Sequence, residues 1–325
     1  MPVDPENKLL DINQLVEFDK RIAPIARHRS TNVDYPSGIF SIEITNRCPL
    51  KCVMCARTHD MTRATGDMDY GLFRKIVDEL SSSHPEWSRH SPVRLHGFGE
   101  SLVHPQFDDM IRYAQQRNVC TCLSLNPIVL TDSISVRLLD AEPSLLYISL
   151  DGHDDASFAS IRGLPAAYEK SKANLMRFLE HKATIRSRTQ IVLSMINFGL
   201  NEPSIARMQK HWESVTGIDA VRIKAFCTWD GNADAVNRLA GITAATANVR
   251  QNVTCRWPWR SVSVLWDGDV VPCCFDFDKR FVLGNLGFET LASIWHGPRM
   301  HSLREEFISN SVTNQLCRNC SNLTA

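Results

Sequence analysis

Between Gly38 and Phe226, short apolar and β-branched runs alternate with longer segments that are apolar at every third or fourth position. The short runs suit strands of a parallel sheet, and the longer segments suit helices with one apolar stripe facing it. The predicted strands are "IFSIEIT" from Ile39, "VRLHGF" from Val93, "TCLSLN" from Thr121, "LLYISLD" from Leu145, "QIVLSMIN" from Gln190 and "AVRIKAF" from Ala220. Between them, "DYGLFRKIVDELSS" from Asp69, "HPQFDDMIRYAQQR" from His104 and "YEKSKANLMRFLEH" from Tyr168 carry the helical period. This alternation predicts an α/β core over 38–226 with helices covering the sheet. Residues 227–254 are polar, rich in small residues and weakly periodic, as a linker would be. From Cys255 to Ala325, two alternating apolar runs flank Asp267-Gly268, a hairpin signal, and "ETLASIWHG" and "MHSLREEFISN" predict short helices in a small α+β unit. Residues 1–37 read as an N-terminal arm.

Composition narrows the partners. Thirty-six basic and thirty-six acidic side chains cancel, and the pI is about 7.1. No bulk field draws the chain to nucleic acid or an anionic membrane, so a small polar metabolite is the expected partner. No run approaches the roughly 18 apolar residues of a membrane helix, and the N-terminus lacks a secretion signal. The expected location is cytoplasmic. There, reductants keep thiols free, so the eleven cysteines point to metal or reactive sulfur rather than to disulfides.

Cys48, Cys52 and Cys55 form a C-x3-C-x2-C loop directly after the first strand, at the sheet rim where α/β folds bind ligands. A structural zinc site calls for four ligands. A four-iron cubane takes one thiolate per iron, so three cysteines leave one iron open to a substrate or cofactor. Cys255 and Cys273, spaced C-x17-C, and Cys317 and Cys320, spaced C-x2-C, supply four thiolates for a closed site. For that second group, zinc and an iron–sulfur cluster both stay open on spacing alone.

The loop Cys48, Cys52, Met54, Cys55 resembles the C-x3-C-x-Φ-C element of the radical S-adenosylmethionine (SAM) superfamily. The tail "C…WDGDVVPCC…LGNL…LASIW…LR…CRNC" resembles the SPASM/twitch extension of those enzymes, which holds auxiliary [4Fe–4S] clusters. The likeness spans about 38–325 and implies a partial (β/α)6, TIM-like barrel followed by a twitch domain. It implies SAM and two [4Fe–4S] clusters, one on Cys48, Cys52 and Cys55 and one on Cys255, Cys273, Cys317 and Cys320. Cys274 is an alternative ligand to Cys273. No further cysteines follow Cys320, which suits the shorter, single-cluster form.

The likeness also assigns SAM contacts. "GFGES" resembles the family's Gly-Gly-Glu element, with Gly99 and Glu100 facing the methionine amino group and Phe98 in place of the first glycine. Asn126, Ser149 and Asp151 sit at the third and fourth strand ends, toward SAM or substrate. Arg162 in "SIRG" lies where relatives hold the SAM carboxylate.

In that family SAM is cleaved to a 5′-deoxyadenosyl radical that abstracts hydrogen from carbon, which requires an external one-electron reductant of the flavodoxin or ferredoxin type. A closed auxiliary cluster suits electron transfer. The implied reaction is therefore oxidation of a carbinol carbon on a sugar or aminocyclitol, and the paired spacings are similar to those of dehydrogenases acting on 2-deoxy-scyllo-inosamine. Epimerisation with Cys227 as hydrogen donor, maturation of a ribosomal peptide, and a non-catalytic zinc or iron–sulfur scaffold are the alternatives. The absence of a leader-binding domain before the barrel argues against the peptide. Arg222 and Lys224 alternate on the last strand, facing either the barrel interior or solvent. His96 and His104 bracket the "GFGE" turn in structural or substrate-orienting roles.

Overall fold

A computed structural model describes residues 30–33, 37–83, 91–197, 202–240, 251 and 253–320. The remainder of the expected arm, and residues 241–250 and 252 of the expected linker, lie outside the described residues. Six strands, β1 (Gly38–Ile42), β2 (Val93–Arg94), β3 (Thr121–Leu125), β4 (Leu145–Ser149), β5 (Gln190–Asn197) and β6 (Ala220–Ala225), pair in parallel, each with its sequence neighbour. The helices between them are α1 (Ala56–His59), α2 (Tyr70–Ser83), α3 (Phe107–Gln116), α4 (Asp132–Asp140), α5 (Asp155–Arg162), α6 (Tyr168–Thr184) and α7 (Glu202–Glu213). The result is a partial (β/α)6, TIM-like barrel. Strand β2 is shorter than its apolar run because the chain bends into the Gly97-Phe98-Gly99 turn, although the Leu95 N–H still donates to Cys122 O at 2.8 Å.

The helices form where the 3.6-residue period is clean. In α2, Phe73, Ile76, Val77 and Leu80 are buried on one stripe against the sheet. Full burial of such side chains contributes about 1.5–3 kcal/mol each. Helix α5 is closed by an Asp154–Ser157 capping box at its start and by left-handed Gly163 at its end. Alternation along the strands gives the sheet two faces. Leu123, Leu146, Ile148 and Leu193 join the main core beneath the helices. Cys122, Leu145 and Val192, with Tyr147 and Ala220 against them, form a separate apolar floor on the inner face.

The predicted hairpin is present as β7 (Ser261–Val264) and β8 (Asp269–Val271), with β9 (Gly284–Asn285) beside it. It does not form a separate sheet. Strand β7 pairs in parallel with β1, giving one nine-stranded sheet in the order β6-β5-β4-β3-β2-β1-β7-β8-β9. Part of the expected linker is helical as well. Helix α8 (Asp234–Leu239) buries Val236, which packs in one cluster with Ala56, Phe98, Ala233 and Phe277. Helices α9 (Leu291–Trp295) and α10 (Pro298–Ile308) complete the C-terminal region. No helix among the described residues is long and apolar enough to cross a membrane.

Candidate active site

The first cysteine loop leaves the C-terminal end of β1 and is fixed from several sides. The Val53 N–H donates to Ile161 O at 3.0 Å, tying the loop to α5. Arg57 donates to the carbonyls of Asn46 (2.8 Å), Cys48 (3.2 Å) and Leu50 (3.4 Å), so one guanidinium gathers three carbonyls of the loop. Cys52 and Met54 are buried with Leu50 and Ile161, and Cys48 and Cys55 border the same cluster. Burial, with Glu100 and Cys52 adding negative charge, pushes Cys48 up to about 11. Burial and the other two thiols push Cys55 up to about 12.

The "GFGE" turn docks on the start of that loop. A Cβ at Gly99 would lie 2.2 Å from Thr45 O and 2.8 Å from Asn46 Cα, so only glycine fits there. The Glu100 N–H donates to Arg47 O at 2.8 Å. The Glu100 carboxylate accepts from the N–H groups of Asn126 (2.9 Å) and Leu102 (3.3 Å), and burial raises it to about 7. Asn126 Nδ2 donates to Ser149 O at 3.1 Å, and Ser149 Oγ lies 3.3 Å from Ser194 Oγ. These contacts link Gly99 and Glu100 after β2 to Asn126 after β3, Ser149 at the end of β4 and Ser194 within β5.

Asp151 and Arg162 meet each other. Arg162 Nη2 donates to Asp151 Oδ2 in an ion pair whose carboxylate is fully buried, and Nη1 lies 3.5 Å from Cys52 Sγ. Arg162 Nε is buried without a partner. The residue after it, Gly163, has φ 69°, and a Cβ there would lie 2.3 Å from Lys51 O. The Gly163→Ala variant is expected to lose about 1–3 kcal/mol from the left-handed strain alone. It should also displace Lys51 and lower the iron retained by the first loop, read as iron per chain beside a denaturation midpoint.

The second cysteine group is assembled by the C-terminal region. The Cys273 thiol is driven well above its usual range by burial and by Cys274, Cys317 and Cys255 around it. Cys317 is raised likewise by burial, Cys255 and Cys320. Cys274 lies within electrostatic reach of Arg94, Cys227 and Cys320, and burial pushes it up to about 12. Cys227 lies within electrostatic reach of Cys274 and Lys224.

Sequence reasoning missed several residues that build this rim. Arg63 pairs bidentately with buried Glu43 (2.7 and 2.6 Å) and reaches Phe277 O at 2.6 Å, while Glu43 accepts from Phe98 N at 3.0 Å. Trp229, at φ 57°, donates its Nε1–H to Met54 O at 3.1 Å and accepts from Cys320 Sγ at 3.8 Å. The apolar run ending at Glu43 hid its carboxylate, and the polar segment around Trp229 resembled a linker. His104 has a structural contact, with Nε2 3.1 Å from Met68 O.

Two family models match this chain: the radical SAM superfamily over 42–203 and the SPASM iron–sulfur cluster-binding domain over 255–321. The chain belongs to the radical SAM superfamily. Like other members it uses a SAM-binding [4Fe–4S] cluster and SAM, and its SPASM domain holds auxiliary iron–sulfur. It is 28% identical to the tungsten-containing aldehyde ferredoxin oxidoreductase cofactor-modifying protein of Pyrococcus furiosus, covering 86% of each chain. It is 21% identical to the SAM-dependent 2-deoxy-scyllo-inosamine dehydrogenase of Niallia circulans, covering 88% of this chain and 94% of that one. In fold it is similar to the crystal structure of BtrN in complex with AdoMet and 2-DOIA, with a TM-score of 0.57, 17% identity and 90% of this radical SAM chain covered.

The residues present fit these groups. Three thiols at a strand end, one buried and two half-buried, the orphaned Arg162 Nε and a Glu100 carboxylate raised by burial match an open iron, a carboxylate and an ammonium. Among the described residues no three His, Cys, Asp or Glu side chains close onto a single ion.

Proposed function

We propose that this radical SAM enzyme oxidises a carbinol carbon of a small polar metabolite of sugar or aminocyclitol type. Cys48, Cys52 and Cys55 would hold the SAM cluster, and Cys255, Cys273, Cys317 and Cys320 the auxiliary one. When bound, SAM and the clusters would supply a hydrogen-abstracting radical and an acceptor for the second electron, the carbinol carbon losing one hydrogen atom and the resulting radical one electron, with one proton leaving its hydroxyl.

The observation that carries the reading is Trp229. One residue bonds through its side chain to Met54, between two cysteines of the first loop, and through its carbonyl to Cys320 of the second group. Trp229 thus contacts both cysteine groups, which supports their serving one substrate. Glu100, Asn126 and Arg162 fix the amino-acid end of SAM, and the inner faces of β2 to β6 bound the substrate. The identity to the dehydrogenase of Niallia circulans supports the same direction. A second reading, modification of a cofactor of another enzyme, is favoured by the identity to the Pyrococcus furiosus protein.

The test is anaerobic turnover with alcohols deuterated at the carbinol carbon. Deuterium should appear in 5′-deoxyadenosine together with a carbonyl product. Cys317→Ala with Cys320→Ala should keep SAM cleavage but lose most carbonyl product, and Cys227→Ala should leave the oxidation largely intact. An unsubstituted enzyme that gives inverted substrate without a carbonyl product, and loses that turnover in Cys227→Ala, would instead be an epimerase.

A further inference from the structure

The inner face of the barrel holds more positive charge than the reaction itself uses. Arg94 from β2 stacks over the Phe40 ring, 4.1 Å from its centroid. Lys224 from β6 places Nζ 5.5 Å from the centroid of Tyr147, at the apolar floor. Lys224 lies within electrostatic reach of Arg162, Arg222 and Arg94, and His96 within reach of Arg94 and Lys224. Among the described residues neither Arg94, Arg222 nor Lys224 forms an ion pair. The nearest carboxylate, Asp151, is already committed to Arg162 and to the Ile196 N–H.

Asp151 offsets part of this charge at Lys224, but cations that outnumber the carboxylates in a partly desolvated space still repel one another. Burial and the three guanidinium groups hold Lys224 down to about 8. Burial first, and then Arg94 and Lys224, hold His96 at about 3, so its ring is neutral, and its buried Nδ1 has no partner. An arriving anion would relieve all of these at once. A cationic aminocyclitol would aggravate them.

We propose that the substrate carries an anionic oxygen group, phosphoryl or carboxylate, at its non-reacting end, held by Arg94 and Lys224 with Arg222 at the open edge. The inference rests on the reading of this space as the substrate site and narrows that reading to acidic or phosphorylated metabolites. Arg94 lies toward Cys274 and Lys224 toward Arg162, so the group would be clamped between the two cysteine groups. The competing account is that these cations only offset the thiolate charge of the clusters.

The experiment is calorimetric titration of the reconstituted, SAM-loaded enzyme with glucose 6-phosphate, glucuronate, glucose, glucosamine and inorganic phosphate. The phosphate and carboxylate probes separate the two anion chemistries. At least one anionic probe should bind about ten-fold or more tighter than glucose, with glucosamine weakest, since hydrogen bonds to charged groups are the strong ones. Arg94→Gln and Lys224→Gln should each weaken that binding about ten-fold while glucose affinity and iron per chain stay unchanged, and Lys224→Arg should restore it. Three results overturn the proposal: glucosamine binding as tightly as the anions, no anionic probe binding at millimolar concentration, or variants that lose iron while anion affinity per cluster-loaded chain is unchanged. Because binding is read without turnover, failure of the oxidation assay leaves this outcome independent.

Discussion

Replacing Cys48, Cys52 and Cys55 together with alanine should abolish reductive SAM cleavage and remove about four of about eight irons per reconstituted chain. The three thiols share a loop held by Arg57 on three carbonyls and by the Val53 bond to α5. Alanine leaves those contacts in place, so the barrel should fold and the loss should be specific to the cluster. The thiol pKa values reinforce this. Cys48 near 11 and Cys55 near 12 are protonated at neutral pH, because burial and mutual repulsion penalise thiolates. Cluster binding must displace those protons, so assembly is favoured as pH rises and weakened as it falls. Iron analysis and 5′-deoxyadenosine release check the prediction in one preparation. A triple variant that kept its full iron, or cleaved SAM at the unsubstituted rate, would remove this loop from the catalytic centre.

Much of this arrangement was legible in the sequence because it rests on local signals. The strands are buried apolar runs with β-branched residues, and "QIVLSMIN" gives β5 from Gln190 to Asn197 without adjustment. The cysteine spacings, the "GFGE" turn and "SIRG" are each short enough to be read in one window. What escaped depends on contacts across the chain. The parallel pairing of β7 with β1 joins residues more than two hundred positions apart, and no periodicity reports which strand edge a hairpin will meet. Helix α8 lies in a polar stretch, and its apolar surface is defined only by Ala56, Phe98 and Phe277 around it. The electrostatic imbalance of the inner face was equally hidden. Arg94 and Lys224 look like ordinary strand cations until the alternation of both strands is combined with the absence, among the described residues, of a carboxylate to pair them.

Asp151→Ala should destabilise the fold by about 3–5 kcal/mol, the usual cost of leaving a buried charge without its partner. Asp151 is fully buried and meets Arg162 through one carboxylate oxygen and the Ile196 N–H through the other, at 2.6 Å. Alanine therefore orphans a guanidinium and a backbone donor at the rim of β4 and β5. Arg162→Ala should cost a similar amount, because it strands the Asp151 carboxylate instead. The double variant should cost less than the two single effects added, with a coupling energy of about 0.5–3 kcal/mol for residues in direct contact. SAM affinity separates position from charge. Arg162→Ala should weaken it beyond what stability explains, since the orphaned Nε is the donor assigned to the SAM carboxylate. Asp151→Ala should weaken it only as far as Arg162 swings out of place, and Asp151→Asn, which retains a side-chain oxygen, should restore part of that loss. The measurements are anaerobic urea denaturation of all four chains and SAM titration of the cluster-loaded enzyme. Additive single effects would show that the pair carries no coupling, and Arg162 would then be placed by α5 and Gly163 alone.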